Sequence, residues 1–403
     1  MKRRDVIKRL SILPFAGAAI GSAFPVASCT TDRSGRRDLF KELGVTPIIN
    51  CRVTYTALSG SLMMPEVIDA INQTANDFVD MYQLQDRVGE KMAEMLDCEA
   101  AMVTSGAAGA MTLATAATIT GTDREKIRLL PNLPGPQREV IIQKTHRLGY
   151  DHAIRNCGVK LVEVDGPAEM ERAINENTVM AFFYNAAGTH SVSHEEFVAI
   201  GKRHNIPTLN DAAADVPPLE NLFKYQRMGF DLVTFSGGKM IRGPQSAGLL
   251  FGRRDLIEAA KANHSPNGDT IGRGMKVNKE EMFGMYAALK SYIERDHEKE
   301  WQEWLDRQQY IADHLAHIPT LKSETVLPRG VANAFPSMNI TWDQDRVRIT
   351  SREVVEALRA GDPSIHADAR GDALGIHVIL LRPEWVDTVA RRIEDILEQA
   401  VSA

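Results

Sequence analysis

The chain has 403 residues, of which 44% are hydrophobic and 25% are charged, and its formal net charge is −6. This is the composition of an ordinary globular protein long enough for two structural lobes, and the acidic balance argues against a nucleic-acid-binding surface, which is usually basic. The four cysteines, Cys29, Cys51, Cys98 and Cys157, are far apart and form no CxxC pair. The sequence therefore predicts neither a disulfide framework nor a metal site.

The N-terminal segment, residues 1–29, has the layout of an export signal. A basic start precedes a stretch of apolar and small residues (11–27) that is too short and too rich in Gly, Ala and Pro for a spanning helix. The pair Arg3-Arg4 resembles a twin-arginine signal, and VASC, ending at Cys29, resembles a lipoprotein cleavage site. We expect twin-arginine export to the periplasm or cell envelope, with a lipid anchor on Cys29. The alternative is a basic amphipathic helix on a cytoplasmic protein.

The next residues, 30–63, have the character of a polar linker and an extended N-terminal arm, and residues 64–96 show helical periodicity that fits one helix or two. From residue 100 onward, short apolar runs alternate with amphipathic stretches such as residues 194–205. The strand candidates are residues 100–105, 139–143, 160–164, 179–185, 206–211, 231–236 and 247–252. This alternation predicts an α/β fold with a mainly parallel sheet flanked by helices.

The C-terminal third is predicted to form a second, smaller lobe. The helix candidate 255–263 and the loop candidate 265–277 precede it. A long helix within 280–318 leads into the smaller lobe, whose candidate elements are strands over 337–342 and 376–381 and helices over 351–360 and 384–401. We therefore predict a large domain over residues 64–275, followed by a linking helix and a small α+β domain over residues 276–403.

The first chemical signal is the sequence TSGAAGAM (104–111), where a strand gives way to a helix. A helix start offers unpaired N–H groups and a positive dipole end, and small side chains let an anion approach closely. Ser105, Gly106 and Ala107 are therefore candidate phosphate ligands. Taken alone, this stretch is also compatible with an ordinary small-residue turn.

Two further strands end in charged residues. Asp211 closes the run IPTLND, and the sequence SGGKMIRGPQSAG (236–248) places Ser236 and Lys239 after the next strand. Ligands of open α/β sheets bind at the carboxyl ends of the strands, so we expect these side chains at one edge. Asp211 could instead cap a helix, and Lys239 could be a solvated loop lysine, although that leaves the flanking glycines unexplained.

A phosphate cradle, a buried acid and a lysine together match the needs of pyridoxal 5′-phosphate (PLP). PLP has a phosphate, a pyridine nitrogen that functions best when protonated, and an aldehyde that forms a Schiff base with lysine. His146, the first ring after the strand candidate 139–143, is predicted to stack on the pyridine. The alternative is an ordinary loop histidine.

Four segments carry a family resemblance: TSGAAGA, HRLGYDHAIRNCG, NDAAAD and FSGGKMIRGPQSAGLL. They resemble fold-type I PLP enzymes, and more narrowly the selenocysteine synthase-related group that includes D-glucosaminate-6-phosphate ammonia-lyases. The resemblance implies the following roles: Lys239 is the Schiff-base lysine, Asp211 pairs with the pyridinium, Ser105, Gly106, Ala107 and Ser236 hold the phosphate, and His146 stacks on the ring.

The resemblance also bears on partners. Gly243 and Gln245 lie in a loop that, in this fold type, approaches the cofactor phosphate of the partner subunit, which implies a homodimer or a higher even homo-oligomer with shared active sites. Where selenocysteine synthases carry an N-terminal tRNA-binding domain, this chain has its signal and linker. A nucleic-acid substrate is therefore not expected.

The favoured activity is α,β-elimination on an amino acid or amino-sugar acid, giving a 2-oxo acid and ammonia, with Lys239 as the base. The substrate carboxylate needs a cation. Arg382 is the candidate, with Arg242 and Arg273 as runners-up, and Asn50 and Tyr55 are candidates for the pocket wall. The alternatives are a β-replacement transferase of the selenium transferase type, an aminotransferase and, more remotely, a non-catalytic binding protein.

Overall fold

The computed structural model describes residues 38–328 and 330–401 of the chain. The predicted signal segment, with Cys29, lies outside the described residues. The chain divides into two units, Met1–Thr46 and Pro47–Ala403. In the first unit the described residues form a short helix, α1 (Leu39–Leu43), which begins after the capping residue Asp38 and ends at the left-handed Gly44.

The second unit contains the remaining helices and strands. Its helices are α2 (Pro65–Thr74), α3 (Met81–Leu96), α4 (Gly106–Thr120), α5 (Arg124–Leu129), α6 (His152–Arg155), α7 (Pro167–Ala173), α8 (His194–His204), α9 (Asn221–Met228), α10 (Arg254–Ala262), α11 (Lys279–Glu294), α12 (His297–Leu315), α13 (Ser351–Ala360) and α14 (Pro383–Gln399). Its strands are β1 (Ile48–Asn50), β2 (Ala100–Thr104), β3 (Glu139–Gln143), β4 (Lys160–Val164), β5 (Thr178–Tyr184), β6 (Thr208–Asp211), β7 (Leu232–Ser236), β8 (Gly248–Gly252), β9 (Lys322–Val326), β10 (Ser337–Thr341), β11 (Ser364–His366), β12 (Asp368–Arg370) and β13 (Ala373–Ile376).

The main sheet has seven strands in the order β2-β8-β7-β6-β5-β3-β4. β8 runs antiparallel to both of its neighbours, and the pairs β7-β6, β6-β5, β5-β3 and β3-β4 are parallel. Strands β2, β6 and β8 are buried at every residue, as expected for strands covered on both faces. The predicted α/β fold with a mainly parallel sheet is confirmed, and every predicted strand of this sheet lies within two residues of the observed one.

The small lobe has a four-stranded antiparallel sheet in the order β12-β13-β10-β9. The N-terminal arm reaches this lobe, because β1 pairs in parallel with β11, with Ile48 opposite Ser364. The sheet confirms the expectation of a small α+β C-terminal lobe, whereas the domain boundary at residues 275/276 stays a prediction. In the part of the chain that the structure describes, no helix combines the length and apolar character that crossing a membrane requires.

Three details of the prediction change. The helical periodicity of 64–96 belongs to two helices, and the long helix within 280–318 is also two, because Asp296 accepts a hydrogen bond from Lys299 N at 2.9 Å and caps a new helix. The predicted strand 376–381 is wrong, since β13 ends at Ile376. His377 N instead donates to Cys51 O of the arm at 2.8 Å. Residues 378–381 are buried apolar loop, which has the same composition as a buried strand.

Candidate active site

A cavity of about 440 Å³ lies at the carboxyl ends of β6 and β7 and at the start of α4. We call it the Lys239 cavity. The predicted site residues that line it are Ser105, Gly106, Ala107, Asp211, Ser236, Lys239 and Gln245. They come together because β2, β6 and β7 all end at this edge of the sheet, as in other open α/β folds.

Lys239 is the cation of the cavity. Within the described residues its ammonium group makes no hydrogen bond and no ion pair, although the Asp211 and Asp215 charges act on it. Burial lowers the pKa of Lys239, and the two carboxylates only partly oppose this effect. The backbone around it is fixed, because Ser61 Oγ donates to Lys239 O at 2.7 Å. The arrangement favours a neutral amine, which can act as a nucleophile or a base.

Asp211 is the buried acid at the end of β6, with 3% of its surface exposed. Its Oδ1 accepts a hydrogen bond from Ala213 N at 3.0 Å, and its other oxygen accepts none from the described residues. Burial raises the pKa of this carboxyl, against the Ala213 hydrogen bond and the Lys239 charge. A protonated ring nitrogen would supply the charge and the donor that such an acid requires.

The first turn of α4 forms the opposite end of the cavity. Ser105 occupies the N-cap position but its side chain makes no capping hydrogen bond, so the first amides of the helix have no side-chain acceptor. Gly106 has a φ of 68°, which favours glycine, and a Cβ on Gly248 would lie 2.4 Å from Gly106 C. This 15-residue helix therefore presents free N–H groups to the cavity, as an anion site needs.

His146 does not line the Lys239 cavity, contrary to expectation. It is 1% exposed, its Nδ1 accepts from Tyr184 N at 3.1 Å, and its Nε2 lies 2.9 Å from His190 Nδ1. Burial, followed by the charges of His190 and His194, lowers the pKa of His146 to about 3. The histidine lies behind the wall because residues 144–146 form a tight turn after β3.

The lining residues that were not predicted include Tyr150, Tyr184 and Asp215. Tyr184 ends β5 and lies opposite Asp211 in the sheet register, so its position at a strand end was a signal that could have revealed it. Tyr150 and Asp215 lie within two quoted motifs, HRLGYDHAIRNCG and NDAAAD, in which attention fell on other residues. The aromatic rings of this cavity are therefore tyrosines.

Arg382 and Arg242 line a different cavity, of about 770 Å³, between the start of α14, helix α11 and the arm. We call it the charged cavity. Arg382 lies over the Trp385 ring at 4.7 Å, and Arg242 Nε donates to Leu62 O at 3.2 Å. Arg273 donates to Ser265 Oγ at 3.0 Å and lines neither cavity. The expected position of an arginine beside Lys239 is thus not observed for any of the three.

Three further predicted residues, Asn50, Tyr55 and Gly243, do not line the Lys239 cavity. Asn50 Oδ1 accepts from Arg52 N at 2.8 Å and closes a turn of the arm, whereas Tyr55 packs against the Arg52 guanidinium at 4.8 Å. Gly243 faces α11, where a Cβ would lie 2.9 Å from Ala288 Cβ. Gln245 lines the chain's own cavity, and its approach to a partner subunit stays a prediction.

A cluster of Arg52 from the arm with Arg370 and His377 from the small lobe was not foreseen, and we call it the small-lobe cation cluster. Arg52 Nε is already paired with Asp368 Oδ1 at 2.5 Å. Arg370 Nη2 lies 2.5 Å from His377 Nε2, and both arginines lower the pKa of this histidine, after burial, to about 3. Since arginine only donates, His377 Nε2 accepts and Nδ1 carries the proton. That Nδ1 is buried and has no hydrogen-bond partner among the described residues.

The small-lobe cation cluster is connected to the wall of the Lys239 cavity. Asn333 N donates to Ala214 O, a cavity-lining residue, at 2.7 Å, and the ring of Phe335, two residues further on, lies 5.7 Å from that of His377. On the other side, Arg52 belongs to the same arm segment as the cavity-lining Thr56. The cluster is thus linked to the cavity wall through Asn333 and Phe335, although its own three residues do not line the cavity.

The fold and this constellation define a fold-type I PLP-dependent enzyme, and comparison with known proteins agrees. The family model described as SelA, L-seryl-tRNA selenium transferase, matches residues 49–318. The chain belongs to this family, whose members depend on PLP.

Individual relatives have different activities. The chain is 33% identical over 377 residues to a 5′-C-glycyluridine monooxygenase-decarboxylase of a Streptomyces species, covering 89% of this chain and 92% of the relative. It is 28% identical to the D-glucosaminate-6-phosphate ammonia lyase of Salmonella typhimurium, covering 82% of this chain and 89% of that protein. A solved D-glucosaminate-6-phosphate ammonia-lyase superposes with a TM-score of 0.81 at 26% identity, covering 90% of this chain and 99% of that one.

Proposed function

We propose that this chain binds PLP in the Lys239 cavity and catalyses α,β-elimination on an amino acid or amino-sugar acid, releasing a 2-oxo acid and ammonia. The observation that carries the proposal is the lone Lys239 ammonium between two buried carboxyl groups, in a cavity onto which an uncapped helix start opens. The similarity in sequence and fold to an ammonia-lyase supports elimination as the reaction.

The residues fit the cofactor at each of its polar groups. The first-turn amides of α4, with Ser236 and Gln245, would hold the phosphate, and Asp211 would pair with the ring nitrogen. Lys239 would carry the covalent attachment. When bound, PLP supplies an electron-accepting ring that stabilises negative charge at the substrate Cα. His146 then supports the wall, and Tyr150 and Tyr184 are the rings available to the cofactor.

Within this chain, Lys239 Nζ would take the proton from the substrate Cα. Burial lowers the pKa of Lys239, which increases the neutral fraction of the amine that a general base requires. For the substrate carboxylate we propose Arg370 in place of Arg382, because Arg370 belongs to a cluster that is linked to the wall of the Lys239 cavity through Phe335 and Asn333, whereas Arg382 lines the charged cavity. Bidentate binding of the carboxylate by arginine would then hold the substrate so that its Cα–H bond points towards Lys239.

A second candidate is oxidative decarboxylation of an amino acid. It is favoured by the 33% identity to the Streptomyces monooxygenase-decarboxylase, which extends over most of both chains. The two reactions have different products: elimination releases ammonia without consuming oxygen, whereas oxidative decarboxylation consumes oxygen and releases carbon dioxide. An oxygen electrode and an ammonia assay on the same reaction mixture therefore separate them.

Covalent labelling tests the cofactor assignment. Enzyme loaded with PLP should be yellow, and borohydride reduction should fix the cofactor mass on the peptide that contains Lys239. The Lys239→Ala variant should lose the label and at least ~100-fold of turnover, as expected for removal of a general base. Arg242→Met, three residues away but in the charged cavity, is the matched control and should keep the label. A label on another lysine would refute the assignment.

We further propose that residues 1–29 direct export and that Cys29 carries a lipid anchor, on the sequence pattern alone. Radiolabelled palmitate should enter the wild-type protein and not Cys29→Ala, and the labelled protein should sediment with membranes. Equal labelling of both proteins would contradict the anchor.

A further inference from the structure

Asp215 is a second buried carboxyl group in the Lys239 cavity, besides Asp211. It follows β6 by four residues, is 1% exposed, and lines the cavity together with Lys239 and Asp211. A buried acid that only supported the wall would be expected to use both of its oxygens. The hydrogen bonds of Asp215 therefore show whether one carboxyl oxygen is left without a protein partner.

The carboxyl group of Asp215 is held through one oxygen. Oδ2 accepts from Asn185 Nδ2 at 2.7 Å and from the Tyr225 hydroxyl at 2.6 Å. Asn221 Nδ2 donates to the Asp215 backbone oxygen at 2.6 Å and fixes the chain. Oδ1 accepts no hydrogen bond from the residues that the structure describes. The hydrogen bonds to Oδ2 thus fix the orientation of the carboxyl group, and Oδ1 remains available to a ligand of the cavity.

The surroundings of Asp215 allow it to hold a proton. Burial raises its pKa to about 6; the hydrogen bonds from Tyr225 and Asn185 and the charge of Lys239 oppose this rise, and the charge of Asp211 adds to it. Tyr184, which also lines the cavity, has a pKa raised to about 12, chiefly by burial, and is a far weaker acid. Two carboxyl groups in one site with different environments are a recurrent basis for dividing catalytic roles.

We propose that Asp215 is the general acid that protonates the departing β-hydroxyl group of the substrate, an inference that rests on the proposed elimination. Lys239 Nζ takes the Cα proton, the Cα–Cβ double bond forms, and the Cβ–O bond breaks. The leaving oxygen takes the Asp215 proton and departs as water. The proton that Lys239 took from Cα then passes to the Asp215 carboxylate, which restores both groups. The net change in the substrate is the loss of one water molecule.

Two other titratable groups of the cavity compare with Asp215 as follows. The Lys239 ammonium formed by removal of the Cα proton is the competing acid, and the leaving-group comparison in Asp215→Asn distinguishes it from Asp215. Asp211 would face the ring nitrogen as an anion, which leaves it no proton to give. Poor leaving groups such as hydroxide need protonation as they depart, and a positioned acid typically contributes ~100-fold or more.

The leaving group distinguishes an acid from a structural residue. Chloride departs as an anion and needs no proton, so wild type and Asp215→Asn should be compared on serine and on β-chloroalanine, with both enantiomers of each. We expect Asp215→Asn to lose ~100-fold or more of kcat on serine and little on β-chloroalanine. The control Asn221→Ala loosens the same segment but keeps the carboxyl group, and should affect both substrates alike.

An equal loss on both substrates in Asp215→Asn would overturn the acid role and leave the proposed elimination intact. Wild-type enzyme that releases no ammonia from either substrate would instead overturn elimination on simple β-substituted amino acids, and the acid role in that reaction with it. A second readout does not depend on turnover. Infrared spectra of cofactor-free wild type should contain a protonated-carboxyl band at pH 5 that is lost near neutral pH, and Asp215→Asn should lack it. Identical spectra would contradict the proposal.

Discussion

The Lys239 cavity and the charged cavity are both lined by residues of the loop that follows β7, and their chemistry differs. In the first, one lysine lies near two buried acids and has no hydrogen bond or ion pair among the described residues. In the second, several cations have polar partners: Arg295 pairs with Glu300 at 3.2 Å, Arg307 donates to Leu381 O at 3.1 Å, and Arg242 donates to Leu62 O at 3.2 Å. Cations three residues apart in the sequence, Lys239 and Arg242, thus have different surroundings.

The difference shows that the partners of a cation, rather than its loop, decide its reactivity. A guanidinium that is paired with a carboxylate has its charge offset, so it contributes to the fold more than to chemistry. A buried amine without an ion pair has a lowered pKa, which favours its action as a base. Arg370 donates to Ser337 Oγ and Asn339 Oδ1 but pairs with no carboxylate among the described residues, so its charge is available to an anion.

The larger of the two expected effects is on the KM of the substrate, and it tests which cavity binds the substrate carboxylate. Arg370→Lys should raise KM for an amino-acid substrate by about tenfold or more, because lysine cannot replace a bidentate guanidinium contact, and that factor corresponds to about 1.4 kcal/mol. Arg382→Lys, in the charged cavity, should leave KM close to the wild-type value. Steady-state kinetics on β-chloroalanine measure both variants.

The amide of β-chloroalanine is the control for this pair, because it lacks the carboxylate. Wild type and Arg370→Lys should bind it equally poorly if the guanidinium recognises that group. A raised KM in Arg382→Lys and an unchanged one in Arg370→Lys would reverse the assignment of the two cavities.

The smaller effect concerns the neutral histidines behind the Lys239 cavity. Burial, followed by the charges of His190 and Lys224, lowers the pKa of His194 to about 4 from the ordinary value of 6.5. The unfolded chain therefore binds a proton below pH 6.5 that the folded chain does not, so the free energy of unfolding falls as the pH drops from 6.5 towards 4.

His194→Gln should reduce the loss of stability between pH 7.5 and pH 5 by about 1 kcal/mol, a figure discounted for the partial solvent exposure of the ring. Urea unfolding at the two pH values gives the difference directly. Glutamine can still donate to Asn185 Oδ1, to which His194 Nε2 now lies at 2.9 Å. An unchanged difference would mean that His194 does not titrate as described.

The sequence was sufficient for the sheet and for seven residues of the cavity, because parallel strands all bring their carboxyl ends to one edge. It was insufficient for residues whose side-chain direction depends on packing. Arg382 precedes α14 and faces Trp385, and His146 lies in a turn that folds beneath β5. The cation cluster brings together Arg52 and Arg370, more than 300 positions apart in the chain, through the pairing of β1 with β11.

The tight contact between Gly106 and Gly248 has a consequence for redesign of the pocket. The anion-binding turn and the strand that follows the lysine loop touch through bare backbone, with no room for even one methyl group at position 248. Directed evolution towards new substrates should keep this pair fixed and vary Thr56, which lines the cavity from the arm. The backbone around the anion-binding turn would then stay fixed, while the side of the cavity formed by the arm changes.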